Sequence, residues 1–477
     1  MILAQLVAKA IAQCEIKGKL NMSIKTKLAI AICKSSYRTM RLLGRTGRAL
    51  PGKLALKVQP QLMSVLSEGH NSIVITGTNG KTTTTHIIQQ AILNAYGSAA
   101  YDPTSTNLSQ GVATTLCLDS TVGGKRKSDW AVIESDEGAT KRILPALKPK
   151  VLVVTNLYQD QVDRYSSLTT ARDYIIEAVK TVPDTILVLD ADCQVVASIA
   201  DEVPNKVVWF GVECDIYNEG IADYDEHVTC VKCGSDLNFG QRSFAHLGNF
   251  ECPSCGYKHH KADFAITKIT DRAEKSCKLE VRNADGKVKT IPANIRAGYD
   301  VYNAIAAIAG LNALSVEEEV IDSSLAHFVH AAHRFEIFDV DGTQVRLLLM
   351  KNTAGCNQLI NMLVSEQEPP QNLVCLLGAE IMDGLSTEWI KDINWEKLCG
   401  ANTHVIIGGP KHEDMAARLK QAGVAAENMR TQTSYSALVD DLAKMNEPVT
   451  VIANCSTLEA LRLELVKKYK PLDYWSE

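Results

Sequence analysis

Apolar residues along the chain come in two rhythms. Short runs at 73–75, 131–133, 151–155, 186–189 and 207–210 are β-branched or otherwise apolar throughout, which predicts strands covered on both faces, as in parallel sheets. Between them apolar positions recur at helical spacing, for instance Ile87, Ile88 and Ala91. A second series of strand-like runs, 345–350, 373–377, 405–407 and 449–452, alternates with helical stretches such as 411–422. The pattern predicts a doubly wound α/β unit followed by a smaller α/β domain. Ahead of both, residues 1–50 show helical periodicity (Leu3, Val7, Ile11, then Leu28, Ile32) and end at Leu50-Pro51-Gly52, read as a break before the main domain. The expected division is a leader at 1–50, a central unit at 51–332 and a C-terminal unit at 333–477.

Composition adds compartment and charge. With 477 residues, 46% of them hydrophobic, the chain can bury several cores. No apolar run reaches the ~18 residues of a spanning helix and no signal-peptide core opens the chain, so it reads as cytoplasmic. The net charge of −5 conceals an asymmetry: residues 1–60 hold twelve Lys or Arg against the single Glu15. A basic amphipathic leader of this kind suits anionic lipid or nucleic acid, and equally a solvated helix face.

The candidate chemistry begins at the first strand. Gly77-Thr78-Asn79-Gly80-Lys81-Thr82-Thr83 follows a β-branched run and opens a helix. A glycine turn leading into a helix aims backbone N–H groups and the helix dipole at one spot, where phosphate fits. Lys81 would reach the terminal phosphates and the Thr82 hydroxyl would hold Mg²⁺. The stretch departs from the common G-x-x-x-x-G-K-[ST] loop, because Ile75 stands where the first glycine belongs. Two later strand ends are polar: Glu134, Asp136 and Glu137 close one, and Asn156, Asp160, Gln161, Asp163, Arg164 and Tyr165 follow another. Carboxylates opposite a phosphate loop are what a hard cation requires.

Cys230-x-x-Cys233 and Cys252-x-x-Cys255, eighteen residues apart, have the spacing of a Cys₄ zinc ribbon inserted at about 222–262. Four thiolates leave no open position, so such a site is structural; His246, His259 and His260 are competing donors. Its neighbours Asp215, Glu219, Asp223, Asp225 and Glu226 are acidic, which argues against nucleic acid. The remaining ten cysteines lie singly in apolar stretches, as reduced thiols do.

The loop at 77–83, the Glu134 strand end, the segment 156–165, Gly298-Tyr-Asp300-Val-Tyr-Asn303 and His333-Arg334-Phe-Glu336 occur in the order found in Mur ligases, and the chain resembles that family over roughly 50–450. The ribbon, Pro51-Gly52-Lys53, Ala245-His-Leu-Gly, Lys351-Asn352-Thr-Ala-Gly355-Cys-Asn357-Gln358 and Glu413-Asp414-Met-Ala-Ala-Arg418 resemble its MurT group, the synthetase subunits of lipid II isoglutaminyl synthases. A separate UDP-sugar domain is not seen before the ATP loop, which fits an acceptor already attached to lipid and places the protein at the inner membrane face.

The resemblance implies ATP-dependent amidation of the α-carboxylate of D-glutamate in the lipid II stem peptide, through an acyl phosphate. It implies that Lys81 and the 77–83 backbone clamp the transferring phosphoryl, that Thr82 and Glu134 hold Mg²⁺, that Arg334 arrives from a hinge, and that Asn303, or Asp300, contacts the nucleoside. At Gln161 many relatives carry a metal-binding histidine, so a second metal would be held differently here. Ammonia would come from a GatD-like glutamine amidotransferase whose Cys–His pair is completed by Asp392 of this chain, with Asp383 the alternative. Rival readings are a folylpolyglutamate- or cyanophycin-type ligase and a nucleic-acid-binding ATPase.

Overall fold

The computed structural model describes residues 22–43, 47–104, 106–158, 168–217, 228–273, 276–296, 298–329, 335–366, 368–380, 383–384 and 386–472. The chain forms two large sheets. The first is built from β1 (Asn71–Thr76), β2 (Trp130–Glu134), β3 (Val151–Val154), β4 (Ile186–Asp190) and β5 (Val207–Val212). A separate hairpin follows, β6 (Asn238–Phe244) and β7 (Leu247–Glu251), before the sheet is completed by β8 (Phe264–Thr270), β9 (Cys277–Arg282) and β10 (Val288–Ala293). Strand order is β10-β9-β8-β5-β4-β3-β1-β2. The strands from β2 across to β8 run parallel; at the edge β9 runs antiparallel to β8, and β10, antiparallel to β9, returns to the common direction.

Burial explains why these runs are strands. All four residues of β3 and five of the six in β1 are buried, so neither face has a polar alternation to satisfy. Helices cover both faces. The most enclosed, Tyr299–Ala313, is apolar nearly all round, and Gly310 lets it approach Val153 and Ile73 where β1 and β3 meet. The ribbon hairpin leaves the chain after β5 and returns it to β8, yet β5 and β8 still pair directly, Phe210 opposite Phe264. The insertion therefore leaves the sheet continuous.

The second sheet comprises β11 (Phe335–Val340), β12 (Thr343–Leu349), β13 (Asn372–Leu376), β14 (His404–Gly408), β15 (Met429–Thr431) and β16 (Val449–Ala453), in the order β11-β12-β16-β13-β14-β15. Its only antiparallel pair, β11–β12, turns on Asp341-Gly342, both at positive φ, the geometry a two-residue hairpin loop needs. Apolar cores lie on both faces of this sheet. The chain is thus the doubly wound unit plus smaller α/β unit that its periodicity predicts.

At its N-terminal end the structure departs from the expected break. Leu50-Pro51-Gly52 does not break the chain; it lies in the first turn of a helix, Ala49–Val58. Proline is tolerated there because first-turn N–H groups have no intrahelical acceptor. Gly52 is required for a different reason: a Cβ at that position would overlap the carbonyl oxygen of Gln110, on the facing helix Ser109–Asp119. The pair marks tight packing. The preceding helix, Ile24–Leu42, likewise sends Ala29, Ile30 and Cys33 into the core of the first sheet. Residues 1–21, with the periodicity at Leu3, Val7 and Ile11, lie outside the described residues.

Candidate active site

The phosphate loop bridges the end of β1 and the helix Lys81–Tyr96. Gly77 (φ +127°) and Gly80 (φ +83°) both hold backbone conformations that side chains resist. A Cβ on Gly77 would also overlap the Thr155 hydroxyl, and one on Gly80 would overlap Asn303 Oδ1. The strand end after β3 shapes the loop: Thr78 N donates to the Asn156 carbonyl (2.8 Å), Asn79 N to Asn156 Oδ1 (2.9 Å), and the Thr155 hydroxyl to the Asn79 carbonyl (2.7 Å). Two N–H groups expected to face phosphate are therefore turned to Asn156. The donors suited to an anion are those of the helix's first turn, beginning at Gly80, which a helix cannot satisfy from within. Thr83, half-buried, lies in that turn.

Lys81 is buried and folded back on its own loop. Its ammonium donates to the carbonyls of Gly77 and Thr78 and pairs with Glu137 Oε1 at 3.4 Å. The three acids at the end of β2 and just beyond it have separate tasks. Glu134 accepts from the Thr82 hydroxyl at 3.1 Å and from Asn107 Nδ2 at 3.4 Å. Asp136 accepts the Gly138 N–H at 3.1 Å, and Glu137 faces Lys81. Thr82 and Glu134 thus bring two hard oxygens together beside the loop, a donor set that fits a divalent cation of the magnesium type.

Asn303 and Asp300 stand on the helix Tyr299–Ala313. Asn303 Nδ2 donates to Asp300 Oδ1 at 3.1 Å while its own Oδ1 rests on Gly80. Asn303 is therefore packed on the phosphate loop itself. Burial pushes the Asp300 carboxyl up to about 7, against the opposing pull of the Asn303 hydrogen bond and the Arg296 charge. Arg334 and Gln161 lie outside the described residues, as do Asp160, Asp163, Arg164 and Tyr165.

Two residues of the second sheet unit reach the same loop, and sequence reasoning had given them no role. Lys351 donates to the Thr78 carbonyl at 3.2 Å. Asn352 and Asn79 exchange amide hydrogen bonds of 3.2 and 3.0 Å. Asn352 also caps the helix Thr353–Val364, accepting from Gly355 N at 2.8 Å. Their position after a strand and before a helix was readable; which cleft they enter was not.

The four cysteines converge as expected. Their sulfurs all lie within 4.8 Å of one another, with Cys230–Cys255 at 3.7 Å and Cys233–Cys252 at 3.4 Å. Tetrahedral thiolates on one zinc-sized ion would stand about 3.8 Å apart, so the set fits a single metal ion. Each knuckle closes with a left-handed glycine, Gly234 (φ +75°) or Gly256 (φ +73°), whose N–H donates to the carbonyl of Cys230 or Cys252. None of the three histidines joins the cluster. His246 is half-buried, its pKa lowered to about 4 by burial first and the Arg242 charge second. His259 bonds Asp192 at 2.7 Å, and His260 stacks on Trp209.

Asp383 and Asp392 differ sharply. Asp383 is buried and occupied: it accepts from Ser456 N (3.0 Å), from the Ser456 hydroxyl and from Glu380 N (3.2 Å). Asp392 ends the short helix Glu388–Asp392 with its side chain exposed, while its backbone carbonyl accepts from Asn357.

Residues 75–253 match the family model of the Mur ligase middle domain, and residues 349–458 that of the MurT ligase C-terminal region. MurF from Acinetobacter baumannii shares the fold, with a TM-score of 0.62 at 14% identity over 87% of this chain and 80% of that one. The MurT subunit of lipid II isoglutaminyl synthase (glutamine-hydrolyzing) from Staphylococcus aureus (strain COL) is 28% identical over 86% of this chain and 91% of its own length. The corresponding MurT subunit from Streptococcus pneumoniae is 31% identical over 416 residues, 87% of this chain and 90% of that subunit. A likeness of that strength, running from the phosphate loop through the second sheet, shows that the chain belongs to the MurT family of Mur ligase-like enzymes.

Proposed function

We propose that the chain is the synthetase subunit of a lipid II isoglutaminyl synthase, amidating the α-carboxylate of D-glutamate in the stem peptide at the inner membrane face. The observation that carries this reading is the convergence on one loop of Lys81, the Thr82–Glu134 pair and, from the second sheet unit, Lys351 and Asn352. Such a cleft suits transfer of a phosphoryl group between ATP on one unit and an acceptor held against the other.

In the proposed reaction a carboxylate oxygen attacks the γ-phosphorus, the β,γ-bridging bond breaks and ADP departs. Ammonia then attacks the acyl carbon, and phosphate leaves with that carboxylate oxygen. Lys81 exchanges Glu137 and its loop carbonyls for phosphate oxygens; Lys351 supplies a second positive charge over Thr78; Arg334 would add a third. Thr82 and Glu134 would hold Mg²⁺, which neutralises phosphate charge when bound. Asn303 holds the loop at Gly80 and, with Asp300, borders the nucleotide. The Cys230–Cys233–Cys252–Cys255 set would hold Zn²⁺ as a structural ion.

Ammonia is proposed to come from a GatD-like glutamine amidotransferase. Asp392, exposed, is available to orient a partner's histidine, whereas Asp383 is spent inside its own unit. Mass spectrometry of lipid II incubated with the chain, ATP, Mg²⁺ and concentrated ammonium tests the reaction without the partner. The product mass should fall by the difference between –OH and –NH₂, and an unchanged mass with folded, ATP-binding protein would refute the reading.

A further inference from the structure

The helix Ile24–Leu42 turns Thr26, Ala29, Ile30 and Cys33 inward, and its opposite side exposes apolar residues at both of its ends. Ile24, Leu28 and Leu42 are 66%, 37% and 88% exposed, and Leu43, just past the helix, is 71% exposed. At about 3.6 residues per turn, positions 24, 28 and 42 fall on one side of the helix, with Ser35 and Thr39 between the two apolar ends. The same spacing places Lys25 to one side of these positions and Lys27, Arg38 and Arg41 to the other. No acidic residue relieves this charge, since residues 16–67 contain neither Asp nor Glu.

The neighbouring cations are different. Lys34 donates to the Ser120 carbonyl, and Arg48 pairs with Asp102 at 3.2 Å beneath Tyr37. These two hold the helix to the domain. The outer four serve no such purpose that the described contacts show; Lys25 and Lys27 flank the apolar end at Ile24 and Leu28, and Arg38 and Arg41 the one at Leu42 and Leu43.

We propose that this outer face docks on an anionic lipid surface, the helix lying in the plane of the headgroups with Ile24, Leu28, Leu42 and Leu43 inserted and Lys25, Lys27, Arg38 and Arg41 meeting lipid phosphates. Single-sign charge bordering exposed leucines is the complement of such a surface. A nucleic-acid backbone would use the cations and leave the leucines in water. No helix among the described residues is long and apolar enough to cross a membrane; the proposed docking is in the headgroup plane and therefore salt-sensitive. The proposal gives the lipid-linked acceptor reading its docking surface and rests on that reading only for its purpose.

Co-sedimentation of the full-length chain with vesicles tests it, using phosphatidylcholine alone and phosphatidylcholine mixed with phosphatidylglycerol. Neither ATP nor lipid II is present, so a failure here is separate from a failure of amidation. Binding should be about tenfold stronger or more on the anionic vesicles and be lost in high salt. Replacing Lys25, Lys27, Arg38 and Arg41 by Gln should abolish the preference, and Leu28→Ser with Leu42→Ser and Leu43→Ser should weaken binding even at low salt. Both variants should keep the wild-type melting midpoint. Equal binding to the two vesicle types, or undiminished binding by both folded variants, overturns the proposal. So does loss of association with the glutaminase subunit in those variants while vesicle binding persists, which would make the face a protein interface.

Discussion

The phosphate loop and the cysteine ribbon use one local device to different ends. In each, a glycine at positive φ stands beside the ligating residues: Gly80 before Lys81, Gly234 after Cys233, Gly256 after Cys255. In the ribbon the donors face one another, four sulfurs within 4.8 Å. In the loop they face the protein: Lys81 meets Glu137, Thr82 meets Glu134, and Asn79 meets Asn352 across the cleft. A site whose donors already converge is closed and serves stability. One whose donors hold interim partners must exchange them for a ligand, and exchange is what a reaction cycle needs.

Breaking the open site should have the largest effect. Lys81→Ala is expected to lower ATP-dependent amidation by a factor of about 10³ or more while leaving the melting midpoint near wild type, measured by product formation and calorimetry. Glu137→Gln, which frees Lys81 from its ion pair without removing it, should be far milder. Equal losses in the two variants would mean that Glu137 takes part in the chemistry.

Breaking the closed site should act on folding. Cys230→Ser with Cys252→Ser should abolish bound metal and lower the melting midpoint by about 5 °C or more. Gln194 anchors the ribbon at both knuckles, bonding the Thr229 carbonyl, Val231 N and the Tyr257 hydroxyl, so the loss should spread into the first sheet. Elemental analysis of wild-type protein should find about one zinc per chain.

The two aspartates of the second unit repeat the contrast. Asp383→Asn should destabilise the chain by about 1–3 kcal/mol, because three donors lose a carboxylate acceptor. Asp392→Asn should leave stability unchanged and abolish glutamine hydrolysis by the complex. The opposite result would exchange their roles.

Asp300 adds an effect confined to one pH range. Its carboxyl is raised to about 7 in the folded chain, so the folded state prefers the proton. The stability this contributes is fully present below the unfolded value near 4 and is lost as pH rises through about 7. Asp300→Asn keeps an acceptor for Asn303 and removes the titration. Urea unfolding should find the variant gaining on wild type as pH rises from about 4 to neutral, by about 4 kcal/mol for a carboxyl raised from near 4 to about 7, with the gap closing below pH 4.

Much of this was readable from sequence where the determinants are local. The loop at 77–83 is one strand, one turn and one helix, and the Cys-x-x-Cys pairs are two short turns. Pro51-Gly52 misled because the same dipeptide marks a chain break and a close helix contact; only the Gln110 carbonyl on the facing helix distinguishes them. Lys351 and Asn352 escaped assignment because their significance is their distance from Thr78 and Asn79, 273 residues earlier in the chain. Asp383 and Asp392 lie in one stretch of similar composition, and burial separates them.

The central claim is that the cleft activates a carboxylate as an acyl phosphate. It is tested most directly by labelling the D-glutamate α-carboxylate of lipid II with heavy oxygen and analysing the phosphate released during amidation by mass spectrometry. One labelled oxygen should appear in the phosphate for each amide formed. Amide formation with entirely unlabelled phosphate would contradict the account.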